Sequence, residues 1–285
     1  MAVMVPDISL LPPTGVVLAA TPLGNIHDAS PRLRAALAGA DVIAAEDTRR
    51  VRNLATALGV EIRGKVVSNF DHNEAGRAGQ LLDAARTGIV LVVSDAGMPL
   101  VSDPGFSLVD AAHTNGVPVT CLPGPSAVPT ALALSGLPVG RFLFDGFAPR
   151  KSGPRREWLE SLRTEERAAC FFESPHRLAE TLADAADILG STRRAAVCRE
   201  LTKTYEEVRR GTLPELAEWA AGGVKGEITV VIEGGTVDEV DVDQLVPVVE
   251  SLVGEGMRLK DACRRVAGGR GVSNRELYEA VLAAR

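Results

Sequence analysis

Apolar residues in this chain come in short unbroken runs, each followed by a turn-rich stretch and then by apolar positions at helical spacing. Val16-Val17-Leu18-Ala19-Ala20 is the first run, and its lack of alternation predicts a strand buried on both faces of a parallel sheet. It stops at Thr21-Pro22-Leu23-Gly24-Asn25. Ser30-Pro31 then reads as an N-cap with proline at the first helical position, and Leu33, Ala36, Leu37 and Ala40 share one face. Runs at Val42 to Ala45, Val66-Val67, Ile89 to Val93 and Val117 to Leu122 predict further strands, with helices over Leu81 to Arg86 and Ser107 to His113 between them. Such alternation means parallel strands joined by crossovers.

A second set of runs, Phe142 to Phe144, Ala168 to Phe172, Ala195 to Cys198 and Ile228 to Ile232, follows the Pro/Gly-dense stretch Cys121 to Pro138. The pattern predicts an N-terminal extension over 1–13, one α/β domain over 14–124, a second over 125–233, and a tail over 234–285. Gly234 to Asp243 is acidic and unpatterned and reads as a linker. Beyond it, Leu245 to Leu252, Leu259 to Ala267 and Ser273 to Ala284 predict three short helices. Ser273 and Glu276 form a capping-box pair, and Gly268-Gly269-Arg270-Gly271 supplies a break. Helix, glycine turn and helix also outline a helix-turn-helix, though the segment is net acidic; packing appendage and nucleic-acid reader both remain open.

Composition narrows the class. Of 285 residues, 46% are hydrophobic and 24% charged, which supplies a core and excludes a disordered chain. Gly contributes 28 residues and Pro 17, a share that implies many tight turns. The net charge of −6 argues against a protein working through a global positive field, and no segment is basic as a whole: residues 1–140 carry 9 basic and 12 acidic side chains, and 141–233 carry 15 and 16. Cys121, Cys170, Cys198 and Cys263 lie far apart among apolar neighbours, without zinc spacing, so buried thiols in a reducing compartment are expected. The uncharged stretch Ile8 to His27 is interrupted by Pro12, Pro13, Gly15, Pro22 and Gly24, and no basic residue precedes Arg32. A cytoplasmic protein without a membrane span is the expectation.

Nucleotide fingerprints are weak. No G-x-G-x-x-G occurs, and Gly59-x4-Gly64-Lys65 continues with Val66, which has no hydroxyl for a magnesium ion. Three Gly/Pro/Asp-rich loops stand out instead, each just after a predicted buried strand: Thr21 to Asn25, Ser94 to Gly105, and Pro123 to Ser126. Loops at the carboxyl ends of parallel strands are where open α/β sheets bind ligands.

Seven ordered motifs then resemble a known family: Ala20 to Asn25, Ala45-Glu46-Asp47-Thr48-Arg49, Ser94 to Gly105, Leu122 to Ala127, Phe147-Ala148-Pro149-Arg150-Lys151, Phe172-Glu173-Ser174-Pro175-His176-Arg177 and Arg199-Glu200-Leu201-Thr202-Lys203. They are similar to the small-subunit ribosomal RNA (cytidine-2′-O)-methyltransferases, a branch of the tetrapyrrole methylase class. The resemblance spans roughly residues 14–233; Met98 departs from it, standing where the family usually has a small polar residue. It implies a two-domain tetrapyrrole-methylase-like α/β fold of mostly parallel or mixed sheets, with a small C-terminal helical segment. It also implies S-adenosylmethionine (SAM) bound between the domains, no metal, a homodimer, and 16S ribosomal RNA within the 30S subunit as substrate. Carried over by motif, contacts to SAM would come from Pro22, Leu23, Gly24, Asp95, Ala96, Gly97, Val101, Ser102, Pro123 and Gly124. The second domain would add Phe172, Glu173, Gly226, Glu227 and Ile228, which the residues alone do not reveal.

Methyl transfer is an in-line displacement, so alignment matters, and a ribose hydroxyl needs a group that draws its proton away. Candidates are Glu46, Asp47, Asp103 and Lys203, with Glu173 considered beside them. Each has an ordinary reading too: Asp47 as an N-cap paired with an arginine, Asp103 as a turn former before Pro104, Glu173 as partner of Arg177, Lys203 as a solvated side chain. His72 and His176 read as hydrogen-bonded loop residues. RNA contact is expected from local positive charge. Arg150-Lys151-Ser152-Gly153-Pro154-Arg155-Arg156 has four cations and no carboxylate, Arg49-Arg50-x-Arg52 is a second cluster, and Arg177 is a further candidate. Two alternatives remain: a porphyrin or corrin methyltransferase, which would not need the Arg150 to Arg156 cluster, and a non-catalytic RNA-binding module, which leaves the glycine loops without a purpose.

Overall fold

The computed structural model describes residues 11–69, 74–235, 242–267 and 273–284. Five strands, β1 (Gly15–Ala19), β2 (Val42–Ala45), β3 (Lys65–Ser68), β4 (Ile89–Val93) and β5 (Val119–Leu122), form one sheet in the order β3-β2-β4-β1-β5, parallel throughout. Val16, Val17, Val90, Leu91 and Val92 are buried on both faces, as unbroken apolar runs require. Helices α1 (Pro31–Gly39), α2 (Thr48–Ala57), α3 (Glu74–Ala85) and α4 (Phe106–Thr114) are the crossovers. Ser30 caps α1 by accepting from the Leu33 N–H at 3.0 Å, and Leu33, Ala36 and Leu37 face the core.

The second sheet is mixed. β6 (Phe142–Phe147), β7 (Ala168–Glu173), β8 (Arg194–Arg199), β9 (Glu207–Thr212) and β10 (Ile228–Ile232) lie in the order β6-β7-β10-β8-β9, with only β6 and β7 parallel. The apolar runs do not announce β9: Glu-Val-Arg-Arg-Gly-Thr is an edge strand with few buried positions. α5 (Ala127–Ser135) starts straight after the third glycine loop and packs Val128, Ala131 and Leu132 on this sheet, against Cys170, Ala196, Cys198 and Val231. α6 (Ser152–Ser161), α7 (Leu178–Leu189) and α8 (Leu213–Ala221) cover its other face, around Phe171, Leu159, Leu182 and Leu213.

Helices α9 (Val242–Gly254), α10 (Leu259–Ala267) and α11 (Asn274–Ala283) form the tail, with their own core of Leu245, Val249, Cys263, Val266, Leu277 and Val281. The Ser273–Glu276 capping box is present, with Glu276 N–H donating to Ser273 Oγ and Ser273 N–H to Glu276 Oε2. The glycine break at 268–271, most of the linker, residues 1–10 of the extension and His72 lie outside the described residues. Among the described residues no helix is long and apolar enough to cross a membrane, and the stretch weighed as a span holds β1 instead.

Candidate active site

The three strand-end loops meet. Thr21 and Gly97 exchange backbone hydrogen bonds of 2.9 and 3.0 Å, and Thr21 Oγ1 donates to Ser94 O, so the loop after β1 is zipped to the loop after β4. The third loop closes in at Gly124, where a Cβ would come within 3.0 Å of the Ala20 Cβ. Gly97 has φ +85°, and an added Cβ would sit 3.1 Å from Leu23 Cδ2. The same loop holds Leu100 at φ 70° and Ser102 at φ 66°, a conformation that non-glycine residues adopt only when surrounding structure enforces it. Together these loops make one wall of a cleft of about 460 Å³, presenting Leu23, Asp95, Ala96, Gly97, Met98, Val101, Asp103, Ser126 and Ala127.

The facing wall comes from the second sheet. β10 runs antiparallel to β7, with Ile228 opposite Glu173, so the start of β10 lies beside the end of β7. That pairing puts Gly226, Glu227, Ile228 and Thr229 next to Phe172, Glu173, Ser174 and Pro175 along the cleft, with Phe147 and Leu201 at its edges. Phe144, Phe147 and Phe172 form an edge-to-face aromatic group with centroid spacings of 5.0 and 5.3 Å. Glu173 is buried, and its carboxylate is consumed internally: Oε1 accepts from the Ser174 N–H and meets Arg177 at 2.5 Å, while Oε2 accepts from Thr181 Oγ1 at 2.6 Å. It therefore shapes the cleft floor through its backbone and stem.

The acidic residues expected to act on the acceptor divide. Glu46 and Asp103 line the cleft. Glu46 Oε2 accepts from the Asp95 N–H, and Asp95 in turn accepts from the Asp47 N–H and pairs with Arg50 at 3.3 Å, which ties the end of β2 to the end of β4. Asp47 stands behind that lining as the N-cap of α2, accepting from Arg49 N–H and pairing with its guanidinium at 2.8 Å. The Arg49 side chain and backbone N–H hold its carboxyl down to about 2. So weak a base does not suit proton abstraction, and the structure corrects Asp47 to a cap.

Lys203 is corrected too. Burial would lower its pKa, but hydrogen bonds of 2.9 Å to Glu227 and Glu200 outweigh this and the net shift is upward. It stays an ammonium, not a desolvated base. Its stem crosses the face of Gly24, where a Cβ would fall 2.1 Å from Lys203 Cγ, and the neighbouring Thr202 Oγ1 accepts from the Asn25 N–H. The pair clasps the first loop onto the second sheet. Pro22, Gly24, Ser102, Pro123 and Gly124 lie in the same loops but outside the cleft lining. Met98, Ser126, Ala127, Phe147, Ser174, Pro175, Leu201 and Thr229 line it without having been singled out; all but Thr229 sit inside the seven motifs, which was the available signal.

The cations expected to meet RNA also divide. Arg150 and Lys151 are exposed and form no ion pair among the described residues. Arg49 and Arg50 lie at the start of α2, paired with Asp47 and Asp95. Arg155 is a correction: its side chain is 1% exposed, within 2.8 Å of Glu180 and 2.7 Å of Asp184. The stretch is the first turn of α6, and helical spacing turns Arg155 inward beneath Leu159, against α7. Arg156 is neutralised by Asp184 and Asp187, and Arg177 by Glu173.

The lining holds five carboxylates, Glu46, Asp95, Asp103, Glu173 and Glu227, of which Asp95 pairs with Arg50, Glu173 with Arg177 and Glu227 with Lys203. Its glycine and alanine backbone flanked by Leu23, Val101, Phe172 and Ile228 suits a flat apolar group beside it.

Residues 15–217 match the family described as tetrapyrrole (corrin/porphyrin) methylases. The chain is 60% identical over 272 residues to the ribosomal RNA small subunit methyltransferase I of Mycobacterium bovis, covering 95% of each, and 44% identical over 269 residues to that of Halalkalibacterium halodurans, covering 92% of each. The solved uroporphyrin-III C-methyl transferase of Thermus thermophilus complexed with S-adenyl homocysteine shares the fold, with TM-score 0.53 at 16% identity over 76% of this chain and 95% of that one.

Proposed function

Because this chain belongs to the tetrapyrrole methylase family, and within it to the small-subunit ribosomal RNA methyltransferases I, we propose that it methylates the 2′-hydroxyl of a cytidine ribose in 16S ribosomal RNA. The RNA is presented on the assembled 30S particle, and the enzyme works in the cytoplasm as a homodimer. The observation behind this reading is the cleft itself, walled by strand-end loops on one side and by the paired ends of β7 and β10 on the other, in a chain 60% identical to a ribosomal RNA methyltransferase over nearly its whole length.

SAM, when bound, supplies a methyl group on a cationic sulfonium. Leu23, Asp95 to Gly97, Val101, Phe172 and Gly226 to Ile228 would hold it. On the acceptor side, Asp103 and Glu46 are the two expected residues that line the cleft; they orient the ribose hydroxyl and take up its proton. The strained backbone of Leu100 and Ser102 presets Asp103 before substrate arrives.

The deciding experiment offers labelled SAM together with small ribosomal subunits, naked 16S RNA and a tetrapyrrole, and digests the product to nucleosides. Label in 2′-O-methylcytidine from the particle is expected. Label in the tetrapyrrole or on a base overturns the reading. Asp103→Asn is expected to lower transfer by about 10²- to 10⁴-fold with donor affinity retained.

A further inference from the structure

Phe147 is 60% exposed although it lines the cleft and its aromatic partner Phe172 is half-buried. A large apolar side chain left open at the rim of a site calls for an occupant. We propose that Phe147 is a stacking platform for an unstacked nucleobase of the substrate RNA, with Arg150 and Lys151 holding the adjoining phosphates. This rests on the RNA-methyltransferase reading above and deepens it.

Backbone geometry places the ring. The register between β6 and β7 shifts between Phe144 and Phe147, an irregularity that re-aims the side chain beyond it. Gly146, at φ 69°, makes the turn and lies so close to the opposite wall that a Cβ there would be 3.2 Å from Ser102 Oγ. The turn before Phe147 is thereby set against Ser102, the chain neighbour of Asp103. Phe172 meets its ring at a centroid distance of 5.3 Å and an interplanar angle of 61°, an edge-to-face contact that steadies the ring without covering both faces.

Charge selects the ligand. Pairing with β7 persists through the Ala148 N–H to Phe172 O, at 3.1 Å, so Phe147 and the start of α6 hold a defined spacing. Arg150 and Lys151 follow three and four residues on, within about 14 Å of extended chain. Both are exposed and without an ion pair among the described residues, whereas the cations after them, Arg155 and Arg156, are spent on α7. An exposed aromatic beside two unspent cations is the arrangement that binds single-stranded nucleic acid, with the ring taking a base face and the cations the backbone. The donor's own adenine is the competing occupant; the high exposure of Phe147, and the two exposed cations that follow it on the chain, favour the substrate strand.

The test compares Phe147→Leu, Phe147→Trp, Arg150→Ala/Lys151→Ala and, as a control on the same strand outside the cleft, Phe142→Leu. KM for small ribosomal subunits, kcat, and SAM affinity by calorimetry are measured separately. Phe147→Leu should raise KM by about 5- to 100-fold, the range of one lost base stack, with SAM affinity unchanged. Phe147→Trp should restore it, the double cation variant should raise KM and flatten its salt dependence, and Phe142→Leu should behave as wild type. An unchanged KM in Phe147→Leu, an equal loss of SAM affinity, or failure of tryptophan to restore KM overturns the stacking role while the methyltransferase reading stands. A wild-type enzyme that transfers nothing to ribosomal RNA overturns both.

Discussion

The two walls of the cleft are made of different material. The first-sheet wall is backbone: three loops zipped by main-chain hydrogen bonds, with Gly97, Leu100 and Ser102 at positive φ, presenting N–H and C=O groups and small side chains. The second-sheet wall is made by side chains held by other side chains: Glu173 by Arg177 and Thr181, Glu227 by Lys203, and α6 behind it by Arg155 on Asp184. A backbone wall tolerates side-chain change except where a Cβ will not fit. A side-chain wall fails when one partner is removed.

The largest expected effect breaks the second wall. Arg155→Ala removes the buried side chain that joins α6 to α7, leaving Asp184 only Arg156, and should lower the unfolding free energy by about 2–3 kcal/mol in urea, at unchanged RNA affinity if the protein is assayed below its transition. A weakened RNA affinity in the folded variant would return Arg155 to the RNA surface. Next, Gly97→Ala forces a left-handed conformation on a residue with a Cβ. It should cost about 1–2 kcal/mol of stability and weaken SAM binding by about tenfold, equivalent to about 1.4 kcal/mol. Equal SAM affinity in calorimetry would show that this loop does not touch the donor.

A smaller effect concerns the clasp. Lys203 has a raised pKa, so its contribution is in place below its ordinary value of about 10.4 and is lost as pH rises through the folded value. Glu200 is held low by the Glu227 N–H and by Lys203, so its contribution is in place above about 4.3 and is lost as pH falls through the folded value. The stability difference between wild type and Lys203→Met should therefore be flat between about pH 5 and pH 10, close at both ends, and stay under about 1 kcal/mol because Glu227 is largely exposed. A difference that persists at low pH would assign the effect to packing on Gly24 alone. Smallest is a matter of reactivity. Burial pushes the Cys170 and Cys198 thiols up to about 12, so at pH about 8 an alkylating reagent should modify neither until the protein unfolds. Prompt labelling would mean that the second sheet opens in the native state.

Much of the first sheet was readable because its inner strands are buried on both faces and signal themselves as unbroken apolar runs, as in Ile89 to Val93. Ser30-Pro31 and Ser273 with Glu276 marked helix starts correctly, since capping is local chemistry. β9 was not readable, because an edge strand with two arginines looks like a solvated loop. Along the chain Arg150 to Arg156 is a uniform cationic stretch, although α6 begins inside it and buries Arg155; composition does not record which side of a helix a residue takes. Glu46 and Asp47 are neighbours on the chain with the same chemistry, and only the contact across the sheet, Asp95 on the Asp47 N–H, together with the local Arg49 pair, separates a cap from a cleft residue.

What the amino-acid sequence determined by itself was local and periodic: strands, crossovers, caps, and glycine loops at strand ends whose conformations demand those residue types. What only the tertiary structure decided was the partnership of distant segments. β10 inserts antiparallel between β7 and β8, and that alone carries Gly226 to Thr229 to the end of β7 and completes the cleft. Strand order and direction depend on long-range pairing among apolar segments of nearly equal character, so no short window of sequence specifies them.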